Sequence, residues 1–342
     1  MSAPNSRLAV VFVVIVAVIV GGAAVAPYVL GSGGDAGSDP AELENQQFQP
    51  DTVLPEETAE EGEISMDSDA SGKTVLVDVG HANGVSETDL EPLLSTLAEN
   101  GHQVRFYRGQ RRSLNESLRS ADALLVVSPR ERFTSDELAG VESFTDAGGR
   151  VLVMGDPPSV QASGGLLFGL GGLQESGSQT ASLGSTYGIA YGSGYLYNME
   201  TNDNNYKSVF VEPAANTDLT TGVDRVVMRE AAPIRTASAT RALVGTDGTH
   251  LSTTRDAGTY AVLVRSGNVT AIGDTEFVTR ENAHDADNEV LIGNLADFLV
   301  DGEKRPGAPA DPDAESPERP PGGGGGTGAP GPAPPPTPTP PA

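Results

Sequence analysis

The chain has 342 residues, a formal net charge of −26 and no cysteine. The lack of cysteine excludes disulfides, thiolate metal sites and cysteine nucleophiles. The acidity argues against nucleic acid as a partner, because the phosphate backbone would repel the chain. This acidic composition, with only three lysines, resembles that of proteins from extreme halophiles. We expect it to be an adaptation to solvent and not a binding device.

The first element is an apolar run of 23 residues without a charge, Leu8–Leu30. Its length matches the roughly 20 residues of a membrane-spanning helix. Arg7 precedes it and the next basic residue is Lys73, so we predict a single-pass cell-membrane protein with a cytoplasmic N-terminus and an extracellular main domain. A cleaved signal peptide is the alternative, because Ala24-Val25-Ala26 has the small-x-small pattern of a cleavage site.

Composition divides the rest of the chain into three parts. Residues 31–72 carry twelve acidic residues and no basic one, which predicts a disordered tether after the anchor at 1–30. Residues 303–342 end in PAPPPTPTPPA, which predicts a Pro/Gly-rich disordered tail. Residues 73–302 are predicted to form one α/β domain, with its first half at 73–158 and a second half containing an irregular insertion at 159–302.

The first half alternates apolar runs typical of buried strands with amphipathic helices. The predicted strands are Lys73–Val79, Gln103–Tyr107, Ala123–Val127 and Arg150–Met154, and the predicted helices start near Ser86, Leu114 and Ser135. Strands and helices at this spacing indicate parallel βαβ units. Because crossovers are right-handed, we expect a mostly parallel sheet with helices on both faces.

The second half has weaker patterns. The glycines of Gly164–Gly172 predict a flexible flap and not a phosphate loop, since no Gly-Lys-Ser/Thr is present. A hairpin is predicted at Tyr260–Val264 and Val269–Ile272. Further short strands are expected at Tyr195–Tyr197, Ser208–Val211, Val226–Met228, Arg241–Val244 and His250–Ser252. A closing helix is expected at Asn288–Leu299.

Three segments carry a resemblance to a known family: LVDVGHANGV, SPRERFTSDELAGVESFTDAGGRVLVMGDP and GNVTAIGDTEFVTRENAHDADNEVLIGNLADFLV. Together they resemble the family catalogued as domain of unknown function 4350, over roughly Lys73 to Asp301. The resemblance implies a flavodoxin-like domain similar to the class I glutamine amidotransferase fold and related to gliding-motility and ABC-transport auxiliary proteins. It implies no assigned reaction. The amidotransferase relatives use a cysteine where this chain has VVSPRERFTSDEL, so their chemistry is excluded.

Polar residues that directly follow predicted strands are the candidate ligand-binding residues, because ligands of open α/β sheets bind beyond the carboxyl ends of strands. They are Gly80, His81, Asn83, Ser128, Arg130, Gly155, Asp156, Gly273, Asp274 and Glu276. If these loops converge, His81, Asp156 and Asp274 come together with Arg130 nearby, and a histidine beside carboxylates can act as an acid-base set or bind a metal. Ordinary turn and capping chemistry is the alternative for each residue. Ser128 lacks the G-x-S-x-G context of an exposed serine nucleophile.

Other polar motifs have structural interpretations. Asp285, Asp287 and Asn288 are expected to cap the closing helix, with a cation site as the alternative, and we predict no metal and no cofactor. Asn115 and Asn268 begin glycosylation sequons.

The leading functional prediction is a non-enzymatic binding or assembly module. It would be anchored in the membrane through Leu8–Leu30 and would bind an envelope or transporter protein. The alternative is a hydrolase that acts on envelope sugars or peptides through His81, Asp156 and Asp274. A transport auxiliary subunit is a third hypothesis, which depends on the family resemblance alone.

Overall fold

A computed structural model of the chain describes residues 62–162, 173–176 and 178–310. The predicted membrane helix Leu8–Leu30, the predicted flap Gly164–Gly172 and the predicted tail beyond residue 310 lie outside these residues. Among the described residues, no helix is both long and apolar enough to cross a membrane.

The described chain alternates strands and helices in its first half and consists mainly of strands in its second. The strands are β1 (Thr74–Asp78), β2 (Gln103–Tyr107), β3 (Ala123–Val127), β4 (Arg150–Met154), β5 (Ser159–Ala162), β6 (Leu173–Ser176), β7 (Ile189–Tyr191), β8 (Leu196–Tyr197), β9 (Ser208–Pro213), β10 (Val226–Arg229), β11 (Ile234–Thr236), β12 (Thr240–Gly245), β13 (His250–Leu251), β14 (Ala261–Ser266) and β15 (Val269–Ile272). The helices are α1 (Glu91–Glu99), α2 (Leu114–Leu118), α3 (Ser135–Asp146), α4 (Thr180–Thr186) and α5 (Asn288–Val300), with a 3₁₀ turn at Asp218–Thr220.

Eleven strands of the described chain form one mixed sheet, with the order β10-β9-β12-β14-β15-β4-β3-β1-β2 and with β11 joining β14 to β7. The predicted class, a mostly parallel flavodoxin-like sheet similar to that of class I glutamine amidotransferases, is wrong. Its described strand pairs comprise four parallel and six antiparallel ones. Parallel pairing needs a crossover of a dozen or more residues. Between β9 and β15, all of which the structure describes, no α-helix is present to form such a crossover, and β14 and β15 are joined only by Gly267 and Asn268.

The sheet is covered on both faces. Helices α1 and α5 pack on one face, where Leu93 and Leu295 are fully buried with the alternate β1 residue Val75. Helices α2, α3 and α4 cover the other face, where Leu118 and Phe144 are fully buried. Each such side chain contributes roughly 1.5–3 kcal/mol relative to exposure. Burial on both faces explains the continuous apolar runs of β1, β3 and β4.

The segments that directly precede residue 73 and directly follow residue 302 also pack on the domain. The backbone N–H groups of Asp67 and Ser68 each donate to the Asp297 carboxylate at 3.0 Å. A Cβ at Gly293 would lie 2.1 Å from the Ser65 carbonyl oxygen, so α5 needs glycine at the point where this segment crosses it. Beyond α5, the Lys304 ammonium donates to backbone carbonyls at the end of α2. The folded domain therefore includes residues that precede and follow the predicted span.

Asn288 closes one edge of the sheet. Its side chain is fully buried and pairs with both backbone groups of Val227 in the edge strand β10: Oδ1 accepts the N–H at 2.9 Å, and Nδ2 donates to the carbonyl at 3.2 Å. Nδ2 also donates to the Asn282 carbonyl at 2.8 Å. The amide thus makes the hydrogen bonds that a further strand would make, and it covers the edge.

We expect Asn288→Ala to lower the free energy of unfolding by about 2–4 kcal/mol, because three backbone groups lose their partner in a buried position. Asn294→Ala in the same helix is the matched control. Its amide also donates to two carbonyls, but it is only half-buried, so water replaces it and the loss should stay below about 1 kcal/mol. Equal losses in denaturant titrations of the two variants would contradict this role of Asn288.

Candidate functional site

His81 lies in the loop after β1, between two carboxylates. Its Nδ1 is 2.8 Å from Oδ2 of Asp78, the last residue of β1, and its Nε2 is 3.4 Å from Oε2 of Glu137 in α3. The ring stacks on Phe133 with 4.0 Å between centroids. Asp78 is completely buried and His81 nearly so. His81 therefore bridges the end of β1 and the first turn of α3.

The carboxylate of Glu137 is held in place by helix capping. The backbone N–H and hydroxyl of Thr134 both donate to Glu137 Oε2 at 2.9 Å, and the Glu137 N–H donates to the Thr134 hydroxyl at 3.3 Å. This reciprocal capping box fixes the start of α3. The carbonyl of His81 accepts the N–H groups of Arg130 and Glu131, so the two loops are also joined through their backbones.

The charges of this group favour a protonated histidine. Burial alone lowers the pKa of His81, but its hydrogen bond and charge interaction with Asp78, together with the charge of Glu137, raise the pKa above its ordinary value of 6.5. Burial raises the pKa of Glu137, whereas hydrogen bonds from Thr134 and the charge of His81 outweigh it and lower that pKa. A protonated ring donates on both sides. His81 is therefore suited to clamping two loops and not to accepting a proton from a substrate.

A second polar group forms where β3, β4 and β15 end. The Ser128 hydroxyl donates to Oδ2 of Asp156 at 2.8 Å. The N–H and hydroxyl of Thr275 donate to Oδ1 of Asp156 at 2.9 and 2.8 Å. Ser128 has a φ of +40°, which is strained for a non-glycine residue. Its backbone bonds to the carbonyl of Met154 and to the N–H of Gly84 hold it there.

Asp274 is completely buried next to this group. Its Oδ2 accepts the N–H of Arg229 at 2.7 Å, and its Oδ1 accepts the N–H of Glu276 at 2.6 Å. Burial, followed by the charge of Asp156, raises the pKa of Asp274 well above its ordinary value. Burial and then Asp156 also raise the pKa of Glu276. Asp274 thus accepts one backbone N–H from the turn after β15 and one from the end of β10, and it joins these two parts of the chain.

The structure gives His81, Asp156 and Asp274 three different sets of hydrogen-bond partners. Asp156 and Asp274 are close enough for their charges to interact, whereas His81 is bound to Asp78 and Glu137. Ser128 is bound to Asp156, and the side chain of His81 is engaged elsewhere. The predicted acid-base set is therefore not assembled as a hydrogen-bonded unit.

The remaining candidates at the strand ends shape turns. The Gly80 N–H donates to Asp78 Oδ1 at 3.0 Å, and the Asn83 amide donates to the Asp78 carbonyl. The Gly155 N–H donates to the carbonyl at the end of β15. A Cβ at Gly273 would lie 2.0 Å from the Ala232 carbonyl oxygen. Arg130 contributes its backbone N–H, and its side chain is exposed.

The other polar motifs are also engaged in structural bonds. Asp287 accepts the backbone N–H groups of two β10-flanking residues, and Asp285 pairs with Arg229 at 2.9 Å. The sequon amides of Asn115 and Asn268 donate to the carbonyls of Asp136 and Thr145, so the nitrogen that a glycan would modify is occupied in both. Within the described ranges, no group of three His, Asp or Glu side chains is arranged to hold a metal ion.

Sequence analysis missed an exposed aromatic surface, here called the tyrosine surface and defined by Tyr195, Tyr197, Met199, Tyr206 and His250. The Tyr197 ring stacks on His250 with 5.3 Å between centroids and meets Tyr195 and Tyr206 edge-on at 6.5 and 6.3 Å. The strands β8 and β13 support it. Met199 is 68% exposed and Tyr206 41%. The available signal was the concentration of five of the eight tyrosines between residues 187 and 206.

The loop that carries this surface is organised around Asn198, which is completely buried. Its Oδ1 accepts the N–H groups of Glu200 and Thr201 at 3.0 and 2.9 Å, and its Nδ2 donates to the Asp247 carbonyl at 3.0 Å. Its own N–H donates to the Tyr206 carbonyl, which closes the loop. The tyrosine surface is therefore preorganised by a buried amide.

Comparison with known proteins identifies the family. The family model described as Domain of unknown function (DUF4350) matches residues 92–296, more than half of the chain, and the chain belongs to this family. No curated protein matches. The match carries no support for the implied relation to gliding-motility and transport proteins or for a halophilic source.

Solved structures are similar to this chain at low sequence identity. The structure titled "mmIFT52 N-terminal domain" has a TM-score of 0.53 and 16% identity, over 68% of this chain and 99% of that one. A putative ThuA-like protein from Bacteroides uniformis ATCC 8492 has a TM-score of 0.41 and 12% identity, over 72% and 99%. A β-galactosidase from Rahnella sp. R3 has a TM-score of 0.38 and 11% identity, over 68% and 31%. The first of these shows a common fold and nothing about function.

The His81 clamp predicts an effect of pH on stability. Because the pKa of His81 is higher in the folded than in the unfolded state, its contribution is complete below 6.5 and is lost as the pH rises through the folded pKa. We expect His81→Gln to lower the free energy of unfolding more at about pH 6 than at about pH 9.

His102→Gln is the control with the opposite sign. Burial lowers the pKa of His102, and its ring nitrogens have no hydrogen-bond partner among the described residues, so protonation destabilises the fold. Its variant should lose less stability at the lower pH. Denaturant titrations in which both variants respond to pH with the same sign would exclude the clamp.

Proposed function

We propose that this DUF4350 member is a non-enzymatic protein-binding module that docks its partner on the tyrosine surface. One observation carries the proposal: the large hydrophobic side chains that the described chain exposes, Met199 and Tyr206, both belong to the loop that carries the tyrosine surface. Contiguous exposed apolar side chains mark interaction sites, and Tyr and Met are enriched in interfaces. A fixed, Tyr-rich patch is typical of protein recognition.

The loop around the tyrosine surface favours this role. The segment GSGYLYNMETNDNNY combines Tyr, Ser, Gly and Asn, which is the composition that antibody loops use to contact proteins. Asn198 already holds this loop in one shape. Preorganisation lowers the entropy lost on binding.

Charge around the surface indicates the type of partner. Glu200 is exposed on the loop that carries the rings, and Glu230 pairs with Lys207, whose ammonium lies 4.8 Å from the centre of the Tyr195 ring. The chain as a whole carries a net charge of −26. A partner with an apolar centre and a rim of arginine or lysine complements both features.

The alternative hydrolase has less support. It would need His81, Asp156 and Asp274 to act on one substrate, yet His81 is occupied by Asp78 and Glu137, and Asp274 is occupied by backbone N–H groups. Ser128 donates to a carboxylate that also accepts two bonds from Thr275. These bonds stabilise loops and give none of these four candidate residues an evident catalytic task.

We also propose a location for the domain. The apolar run Leu8–Leu30 and the acidic residues that follow it support attachment to the cell membrane with the domain outside. The partner would then be an envelope or transporter protein.

The binding proposal predicts position-specific cross-linking. A photoreactive phenylalanine derivative at position 206 of the full chain in living cells should capture one partner, and the same residue at Glu142, which is exposed on α3, should not. Against that purified partner, Met199→Ser with Tyr206→Ser should raise Kd by about 30-fold or more, since truncating a central interface residue typically costs above about 1 kcal/mol.

The matched control replaces two exposed polar residues elsewhere, Gln103→Ser with Glu142→Ser, and should leave Kd unchanged. Added salt should slow association if basic rim residues face the acidic chain. Equal capture at both positions, or a Kd that ignores the Met199 and Tyr206 changes, would remove the tyrosine surface as the docking site.

The location is tested separately. Protease added to intact cells should digest the domain, because residues 62–310 are expected outside, while a cytoplasmic protein in the same sample stays intact. Protection of the domain until the cells are lysed would reverse the proposed orientation without affecting the binding proposal.

A further inference from the structure

The segment after Glu99 is unusual for this chain. It contains four of the 18 arginines within eight residues, 105–112, and no acidic residue between Glu99 and Glu116. The rest of the chain is strongly acidic, with 47 Asp and Glu in total. An adaptation to solvent that spreads negative charge gives no reason to gather positive charge at one place.

The four arginines line one cavity of about 550 Å³ at the end of β2. This arginine cavity lies between the edge strand β2 and helix α2, and its lining includes Arg105, Arg108, Arg111, Arg112, Tyr107 and Ser117. The volume falls within the roughly 300–1,000 Å³ typical of small-molecule sites. The carboxyl end of a parallel strand is also the position where ligands of open α/β sheets bind.

The existing partners of the arginines leave room for a ligand. Arg108 pairs with Glu87 at 2.6 Å and Arg112 with Glu116 at 3.4 Å, but these two side chains and that of Arg111 are exposed, and Arg105 is half-buried. Exposed pairs contribute only about 0–1 kcal/mol, so an anion with more charge displaces them easily. Arg105 donates to the Ser120 hydroxyl. Arg111 has no carboxylate partner in the part of the chain that the structure describes.

The loop that carries Arg108 and Arg111 has a defined shape. Gly109 has a φ of +70°, and a Cβ at Gly80 would come within 3.2 Å of the Gly109 nitrogen and 2.7 Å of the Tyr107 ring. The two glycines thus let the β1 and β2 loops approach each other above that ring. The guanidinium groups are presented from a short, closely packed turn.

We propose that the arginine cavity binds a small organic phosphate. Guanidinium groups bind phosphate oxygens through paired, charge-assisted hydrogen bonds, and several of them suit a ligand with two neighbouring phosphates. A nucleic acid is not expected to bind, because a chain with a net charge of −26 repels an extended phosphate backbone. This site uses other elements than the tyrosine surface and does not depend on the proposed docking.

Pyrophosphate titrated into the purified full chain at one fixed salt concentration tests the site. We expect saturable binding whose Kd rises at least about tenfold in Arg111→Ala with Arg112→Ala. Arg111→Lys with Arg112→Lys keeps the charge but loses the paired geometry, so its loss should be intermediate.

The matched control is Arg235→Ala with Arg241→Ala, which removes the same charge from two exposed arginines of β11 and β12 and should change Kd less than about twofold. As a measurement without a variant, pyrophosphate should protect Arg111 of the wild-type chain from phenylglyoxal. Equal losses in both double variants would mean general attraction of anions and overturn the proposal. So would tighter binding of citrate or of a single-stranded oligonucleotide, or the absence of protection at Arg111.

Discussion

The fold depends on the insertion of β15 between β14 and β4. This strand pairs antiparallel with β14 and parallel with β4, so it joins the antiparallel second half of the sheet to the parallel first half. The same placement sets the polar edge. Residues that follow the parallel neighbours β15, β4 and β3 must lie side by side. Thr275, Asp156 and Ser128 therefore meet in one row of hydrogen bonds, and Gly84 extends it to the loop of His81.

The sequence predicted the elements better than their arrangement. The first four strands were confirmed to within a residue or two at each end, since β-branched runs buried on both faces leave little choice of structure. The sheet class was wrong because strand direction depends on connections. Between β9 and β15 the chain has only a 3₁₀ turn, Asp218–Thr220, where a crossover helix would be needed. The sequence between β9 and β15 shows no helix pattern, and this absence predicts antiparallel pairing there.

The candidate site was predictable in position but not in chemistry. Sequence analysis placed His81, Ser128 and Asp156 at strand ends, and the structure locates them there. Which carboxylate meets which donor depends on distances of an ångström, and no spacing encodes them. In the sequence, Asp78 is only the last residue of a buried strand, and Glu137 has the position of a helix-capping residue. Neither pattern indicates a contact with His81. In the fold, the cap geometry of Glu137 is what aims its carboxylate at His81.

The distribution of charge separates structural from binding roles. The carboxylates at the strand ends accept hydrogen bonds from backbone N–H groups, hydroxyls and His81, and these bonds hold the loops in place. The grouped arginines make only exposed ion pairs and one hydrogen bond to a hydroxyl, and Met199 and Tyr206 leave large apolar side chains exposed. Covering the exposed side chains of Met199 and Tyr206 removes apolar surface from water, which is favourable. An anion next to Arg111 adds a favourable charge interaction. The hydrogen bonds at the strand ends hold the loops of the sheet in place, and this fixed framework is the physical basis of the two binding proposals.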